Sequence, residues 1–458
     1  MQRRDFLAGA GISAGAALRL GVGKPALAAT PGKDAAVAAK PAPGTPAAGG
    51  SASSPEGFSD WAAVRAEFPT LVRDRVHMAL MLLTSHPRPV RDAIERHRRG
   101  LDENPVEYFE ARFSHAENDV RTAAARYMGG DANHVALTDS TTMGLAVLYG
   151  GLRLRPGDEV LTTTHDHYST HENLRLTALR AGRTKATVKK VALYEQASAA
   201  TEESVTAKLL TAIGPRTRAV AVTWVHSSTG VKLPIKRIAA EIATLNRKRS
   251  EADRVLLCVD GVHAFGVEAE SPAELGCDFF AAGCHKWLFG PRGTGVLWGR
   301  AEAWKANVSL IAAFEKDPYV AWMKGQIPGG PPGPMATPGG FHSFEHRWAL
   351  TEAFAFHQRL GRARVAARIH ELARQCKEGL RAMPHITLHT PIADALSAGI
   401  ICFEVRGMKA PDVIKRLHAR KIIASVTPYA TEYARLSPGL CNTPEEVDLV
   451  LREVRALT

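Results

Sequence analysis

The chain has 458 residues, 45% hydrophobic and 23% charged, with 58 Lys and Arg against 46 Asp and Glu and a net charge of +12. That is globular composition, which excludes a collagen, a coiled coil and a mostly disordered chain. With 7% aromatic residues and no dense basic block with aromatics interleaved, the positive balance reads as a solubility and compartment trait, not a nucleic-acid footprint.

The start reads MQRRDFLAGAGISAGAALRLGVGKPALAA: a charged front, a weakly apolar Gly/Ala-rich middle, and Ala26-Leu27-Ala28 as a small-x-small cleavage site. This fits a secretory signal over residues 1–28. Arg3-Arg4 followed by Asp5-Phe6-Leu7 resembles the twin-arginine export signal, which implies the Tat translocase as a transient partner and a periplasmic location. A plain amphipathic arm is the alternative, and Arg19 is an imperfection in the signal. Residues 29–55 carry no Leu, Ile or aromatic side chain and read as a flexible Ala/Pro/Gly tether. Past the N-terminal region no run of about 18 apolar residues occurs, so no stable membrane span is expected.

From residue 134, short β-rich runs alternate with helical stretches. Strands are predicted at 134–140, 159–164, 188–193, 218–225, 254–260, 277–283 and 295–299. Such alternation implies βαβ units and an α/β fold with a mostly parallel sheet flanked by helices. Ligands of such sheets bind beyond the carboxyl ends of the strands. A Gly/Pro-rich break at 328–340 divides a large domain, 56–327, from a smaller C-terminal α/β domain, 328–458. In the latter a long helix is expected over about 346–383, with short strands near 385–391, 399–405 and 420–426. Six scattered cysteines, none in a C-x-x-C pair, point to buried thiols and not to a structural zinc site or a disulfide scaffold.

Four motifs carry chemistry. In GCHKWLFGPRGTG (283–295), Lys286 follows a very apolar strand, where burial lowers its pKa and makes it a nucleophile; a surface lysine at a strand exit is the bland alternative. In VLLCVDGVHAFG (255–266), Asp260 ends an all-apolar strand and is either a turn former or a carboxylate aimed at a ligand. Paired with Lys286 it matches a pyridoxal phosphate site, where an Asp keeps the pyridine nitrogen protonated. In TDSTTMGLAVLYGG (138–151), Ser140, Thr141 and Thr142 begin a helix whose free N–H groups favour a phosphate, although Ser at such a place is also an ordinary cap. In GDEVLTTTHDHYSTHENL (157–174), His165, His167 and His171 crowd a strand end. One of them stacks on a cofactor ring, or the three ligate a metal and the protein is a metal-dependent hydrolase, with His226, His263 and His285 as further candidates.

Together these motifs resemble fold-type I pyridoxal phosphate enzymes of aminotransferase class V, over about residues 75–455. HKWLFGPRGTG is especially similar to the isopenicillin N epimerase-like branch. The resemblance implies that Lys286 binds the cofactor covalently, Asp260 partners its pyridine nitrogen, and His167 stacks on its ring, with Tyr168 the alternative register. It places His263 near the phenolic oxygen, and Thr141, Thr142 and His285, with Ser140, at the phosphate. YARLSPGLCNTPEEVD (433–448) resembles the family's late arginine segment, so Arg435 is implied to clamp a substrate carboxylate. ENPVEYFEARF (103–113) resembles an epimerase-branch loop and makes Asn104 a substrate contact.

The family implies a homodimer, and the exported arrangement is similar to enzymes that tailor a siderophore peptide; the expected substrate is a small-molecule or peptide amine bearing a carboxylate. Two departures stand out. ASVTPYATEYAR lacks the nucleophilic Cys that desulfurases place shortly before the late Arg, and the Gly-Thr the family often has near residue 340 is replaced by PGGFHSFEHRW. Transamination is the leading expectation, then C–S lysis, then epimerisation. A non-catalytic cofactor-binding relic is a reading of a different class.

Overall fold

The computed structural model describes residues 57–113, 115–181 and 186–457. The expected signal and tether lie outside the described residues. Among the described residues thirteen strands form: β1 (Val76–His77), β2 (Val135–Thr138), β3 (Glu159–Thr163), β4 (Thr187–Val191), β5 (Thr217–Thr223), β6 (Leu256–Asp260), β7 (Phe279–Gly283), β8 (Gly295–Gly299), β9 (Ile386–Leu388), β10 (Ile401–Val405), β11 (Ile422–Ile423), β12 (Ser425–Val426) and β13 (Ala434–Leu436).

Seven of them build one sheet in the order β2-β8-β7-β6-β5-β3-β4. Its members run parallel except β8, which is antiparallel to both β7 and β2. β2 therefore points the same way as the parallel strands, and all six of these end on one edge. β7 and β8 are apolar along their whole length, and β6 up to Asp260, because both faces are covered. Side chains alternate between the faces with a period of two. Leu257, Val259, Phe280 and Ala282 feed one core, while Leu256, Cys258, Phe279 and Ala281 feed the other. The α/β fold expected from the alternation is thus the fold observed, with each predicted strand of this sheet present within a few residues.

A second, antiparallel sheet has the order β12-β13-β10-β9. β1 and β11 form a separate parallel pair, Val76 opposite Ile422. Through it the N-terminal segment joins the later part of the chain, and Met78 is buried among Leu372, Ile401, Phe403 and Val450. The long helix expected over 346–383 is two helices, Phe344–Leu360 and Arg362–Arg381. Gly361 separates them at φ 79°, a left-handed conformation that ends a helix and costs glycine least. The second helix serves two cores: Val365 and Ile369 pack with the large sheet, Leu372, Cys376 and Leu380 with the small one. All six cysteines are free and buried. Among the described residues no helix is long and apolar enough to cross a membrane.

Candidate active site

Five strands deliver polar groups at the edge where they end: β2 leads to Ser140 and Thr141, β3 to Asp166 and His167, β5 to His226 and Ser227, β6 to Asp260, and β7 to Lys286. The turn after β6 depends on Gly261, because a Cβ there would lie 1.9 Å from the Phe280 ring. Only a glycine lets the chain cross that ring and bring His263 back over the strand end.

Lys286 Nζ lies 3.3 Å from His263 Nε2. Burial pushes the Lys286 ammonium below the ordinary lysine range; the Asp260 carboxylate opposes this and the Arg435 charge adds to it. Asp260 is buried, and burial raises its carboxyl above the usual range against the Val262 N–H and the Lys286 charge. Among the described residues its carboxylate accepts one hydrogen bond, from Val262 N at 3.1 Å. A carboxylate so buried and so sparsely bonded is stabilised by a cation brought to it. His263 is buried, and burial with the Lys286 charge keeps its ring neutral, far below the usual histidine range. Its Nδ1 has no partner among the described residues.

Ser140 caps the helix Thr141–Gly151 by accepting from Met143 N at 3.1 Å. The N–H groups of the first turn, which have no partner inside a helix, open beside His285. Thr141 Oγ1 accepts from Gly283 N at 2.8 Å, and a Cβ on Gly283 would lie 3.0 Å from His285 Cε1 and 3.1 Å from that hydroxyl. His285 Nδ1 is buried and has no hydrogen-bond partner among the described residues. A helix N-terminus, a threonine hydroxyl and an orphaned imidazole nitrogen around a glycine make an anion cradle. Thr142 is exposed, and its carbonyl accepts from Asn173.

His167 Nδ1 accepts from Ser169 N at 3.2 Å and meets Ser169 Oγ at 2.6 Å. Its ring stays neutral through burial and the nearby charges of Lys286, His171 and Arg435. Tyr168, 71% exposed, faces away, so the alternative register falls. The three clustered histidines bond apart. His165 Nε2 accepts from Leu193 and Tyr194 N–H groups and its ring stacks on Tyr194 at 3.8 Å; His171 Nε2 bonds the Thr163 carbonyl at 2.7 Å. The metal-hydrolase reading loses its ligand set, and among the described residues no His/Cys/Asp/Glu group is arranged to hold a metal.

Arg435, on β13, is 1% exposed. It donates to Ser425 Oγ and the Ser227 carbonyl, and among the described residues it has no carboxylate partner. Asn104 is not brought to this cluster: its exposed amide bonds Glu107 at 2.6 Å. Sequence reasoning missed Ser227, Tyr429 and the structural part played by Asp166. The buried Asp166 accepts from Thr162 Oγ1 and from the Thr163 and Thr223 N–H groups, which clamps the ends of β3 and β5. Ser227 had a signal, since it follows the apolar run RAVAVTWV. Tyr429 had none.

The residues fit pyridoxal phosphate: Lys286 to bond it, Asp260 for its ring nitrogen, His263 and His167 about the ring, and Thr141 with His285 for its phosphate. The bound cofactor supplies an electron sink that stabilises a carbanion next to the substrate nitrogen.

Comparison with known proteins gives the same picture. The sequence model of aminotransferase class V matches residues 84–450. A probable cysteine desulfurase of Mycolicibacterium paratuberculosis is 26% identical over 87% of this chain, which spans 58% of that longer protein. An isopenicillin N epimerase of Streptomyces clavuligerus is 29% identical over 81% of this chain and 92% of the relative. Among solved structures, a complex of the cystine C–S lyase C-DES with cysteine persulfide superimposes with a TM-score of 0.75 at 22% identity, covering 85% of this chain and 99% of the other. These relatives are a desulfurase, an epimerase and a lyase, not transaminases. The chain belongs to the aminotransferase class V family and is a pyridoxal phosphate-dependent enzyme.

Proposed function

We propose that the protein cleaves a carbon–sulfur bond by elimination from an amino acid with a free carboxylate. The observation that carries this is the pairing of a buried Arg435, without a carboxylate partner among the described residues, with a half-buried Lys286 whose ammonium burial pushes below the ordinary lysine range, in one site whose nearest loop holds no thiol. Arg435 anchors the substrate carboxylate through parallel N–H bonds. Lys286, which would hold the cofactor, is placed to take the α-proton as general base. His263, held neutral 3.3 Å from Nζ, is placed to orient that amine by a hydrogen bond. Desulfurase relatives support work at a cysteine-like side chain. Cys402 and Cys441 are buried with their thiols pushed up to about 12, so sulfur departs free and not on an enzyme thiol. For cysteine the balance is one water consumed, with pyruvate, ammonia and hydrogen sulfide formed.

Epimerisation is the second reading, favoured by the 29% identity that extends over 92% of the Streptomyces epimerase. It shares the first proton transfer and returns the proton to the same carbon. Incubating loaded enzyme with cysteine and cystine in D2O separates the two. Equal amounts of sulfide and pyruvate from cysteine, or of cysteine persulfide and pyruvate from cystine, support elimination; α-deuterated substrate of inverted configuration without either sulfur product supports epimerisation. A keto acid formed only when a second keto acid is supplied would restore transamination.

Export before action also belongs to this reading, as does a homodimer. The Arg3-Arg4 pair fits a route that carries folded, cofactor-loaded protein. Changing both to Lys should hold the protein in the cytoplasm, and unchanged periplasmic recovery would remove the twin-arginine route.

A further inference from the structure

The guanidinium of Arg435 is only partly used by the protein. Its Nε–H goes to Ser425 Oγ at 3.0 Å and one Nη1–H to the Ser227 carbonyl at 2.9 Å, while Nη2 reaches the Val426 carbonyl at a long 3.5 Å. Protons on Nη1 and Nη2 remain for a ligand. The same Ser227 meets Tyr429 through its hydroxyl, Oγ to phenolic oxygen 2.7 Å. One residue thus holds both a guanidinium and a phenol. The rings of Tyr429 and His167 meet in a T-shaped arrangement, with centroids 6.2 Å apart.

The loop that carries Tyr429 is closed at its base. Thr427 N–H donates to the Tyr433 carbonyl at 3.0 Å, and Tyr433 N–H donates to Thr427 Oγ1 at 2.9 Å. Thr427 is fully buried. Burial pushes the Tyr429 phenol up to about 12, with the Ser227 hydrogen bond and the Arg435 charge opposing. The phenol therefore keeps its proton at neutral pH. When the Ser227 hydroxyl donates to the phenolic oxygen, that proton is free for a ligand.

We propose that Tyr429 is a further substrate-binding residue, its hydroxyl a third donor to the carboxylate held by Arg435. Three donors suit a carboxylate, which has about four lone-pair sites to offer. A neutral amide or ester meets the same donors with less charge and weaker bonds. The site then selects free amino acids, or a peptide residue whose own α-carboxylate is free, over substrates with a blocked acid. This rests on the carboxylate part of the proposed function.

The test titrates cofactor-loaded protein with alanine and with ethylamine, which differ by the carboxylate, and reads the change in visible absorbance. Tyr429→Phe should weaken alanine binding about 10- to 100-fold, the range of a hydrogen bond to a charged group, and leave ethylamine within about twofold. Arg435→Ala, run beside it, should weaken alanine at least about 30-fold. If Arg435→Ala discriminates and Tyr429→Phe does not, Tyr429 is no carboxylate ligand while the proposed function stands. If neither discriminates, the carboxylate reading itself falls, and this inference with it. Equal losses on both ligands in Tyr429→Phe would reduce the residue to a structural prop. Should that variant fold poorly, Ser227→Ala, which removes the phenol's anchor, is read on the same two ligands.

Discussion

Lys286→Ala should abolish the visible absorbance that borohydride can fix to the protein, and should lower turnover by at least about 10²–10⁴-fold, the contribution of a positioned general base alone. The expectation follows from position. β7 is buried along its length, and the turn that follows places Lys286 Nζ against His263 and in the field of Asp260. Among the described residues no second lysine is held in this way. The anion cradle at Thr141 and His285 does not depend on Lys286, so the variant should still take up cofactor, removable by dialysis. A borohydride-fixed chromophore in the variant would place the attachment elsewhere. An added small amine should restore part of the rate if the loss is that of a base.

Asp260→Asn should keep the cofactor yet lose about 10²–10³-fold in turnover, the scale for removing one preorganised electrostatic group. An amide of the same shape cannot hold a proton on a pyridine nitrogen by charge, so the sink weakens while the packing stays. A second consequence has a definite sign. The Asp260 charge stabilises the Lys286 ammonium, so its removal lets the amine lose its proton at lower pH. In cofactor-free protein, the pH midpoint for capture of pyridoxal phosphate should move down in the variant. A rate within a few-fold of the parent, with an unmoved midpoint, would make Asp260 a turn former only.

The large sheet was legible because its strands are continuous apolar runs bounded by turn residues, and residues at the strand ends were found with it. Lys286, Asp260 and Thr141 follow strand ends and could be read there, whereas the roles of His263 and Arg435 were carried by the resemblance. The misses have physical causes. Gly361 inside RLGRAR reads as a tolerated helix residue, since a positive φ leaves no trace in the sequence. His167 and Tyr168 are neighbours, and only packing decides which ring turns inward. Asn104 was carried by resemblance alone, and its helix end points it to solvent and Glu107. Strand β13 is three residues long and follows a loop with no periodicity, so neither the strand nor Tyr429 announced itself.

In the proposed function, the two ends of the substrate are gripped from separate interiors. Lys286 and Asp260 hang from strands whose side chains fill the large cores, whereas Arg435 hangs from β13, whose neighbours Ala434 and Leu436 fill the small one. Among the described residues the helix Arg362–Arg381 belongs to both, as does β10, which turns Cys402 to the large core and Ile401 and Phe403 to the small one. Colour and grip are therefore separable traits. A change deep in the small core and away from β10, at Val450 for instance, should loosen the hold on the acid end while the cofactor keeps its seat. A lineage could retune which acids it accepts by repacking that core, at no cost to the chemistry installed on the other side of the helix.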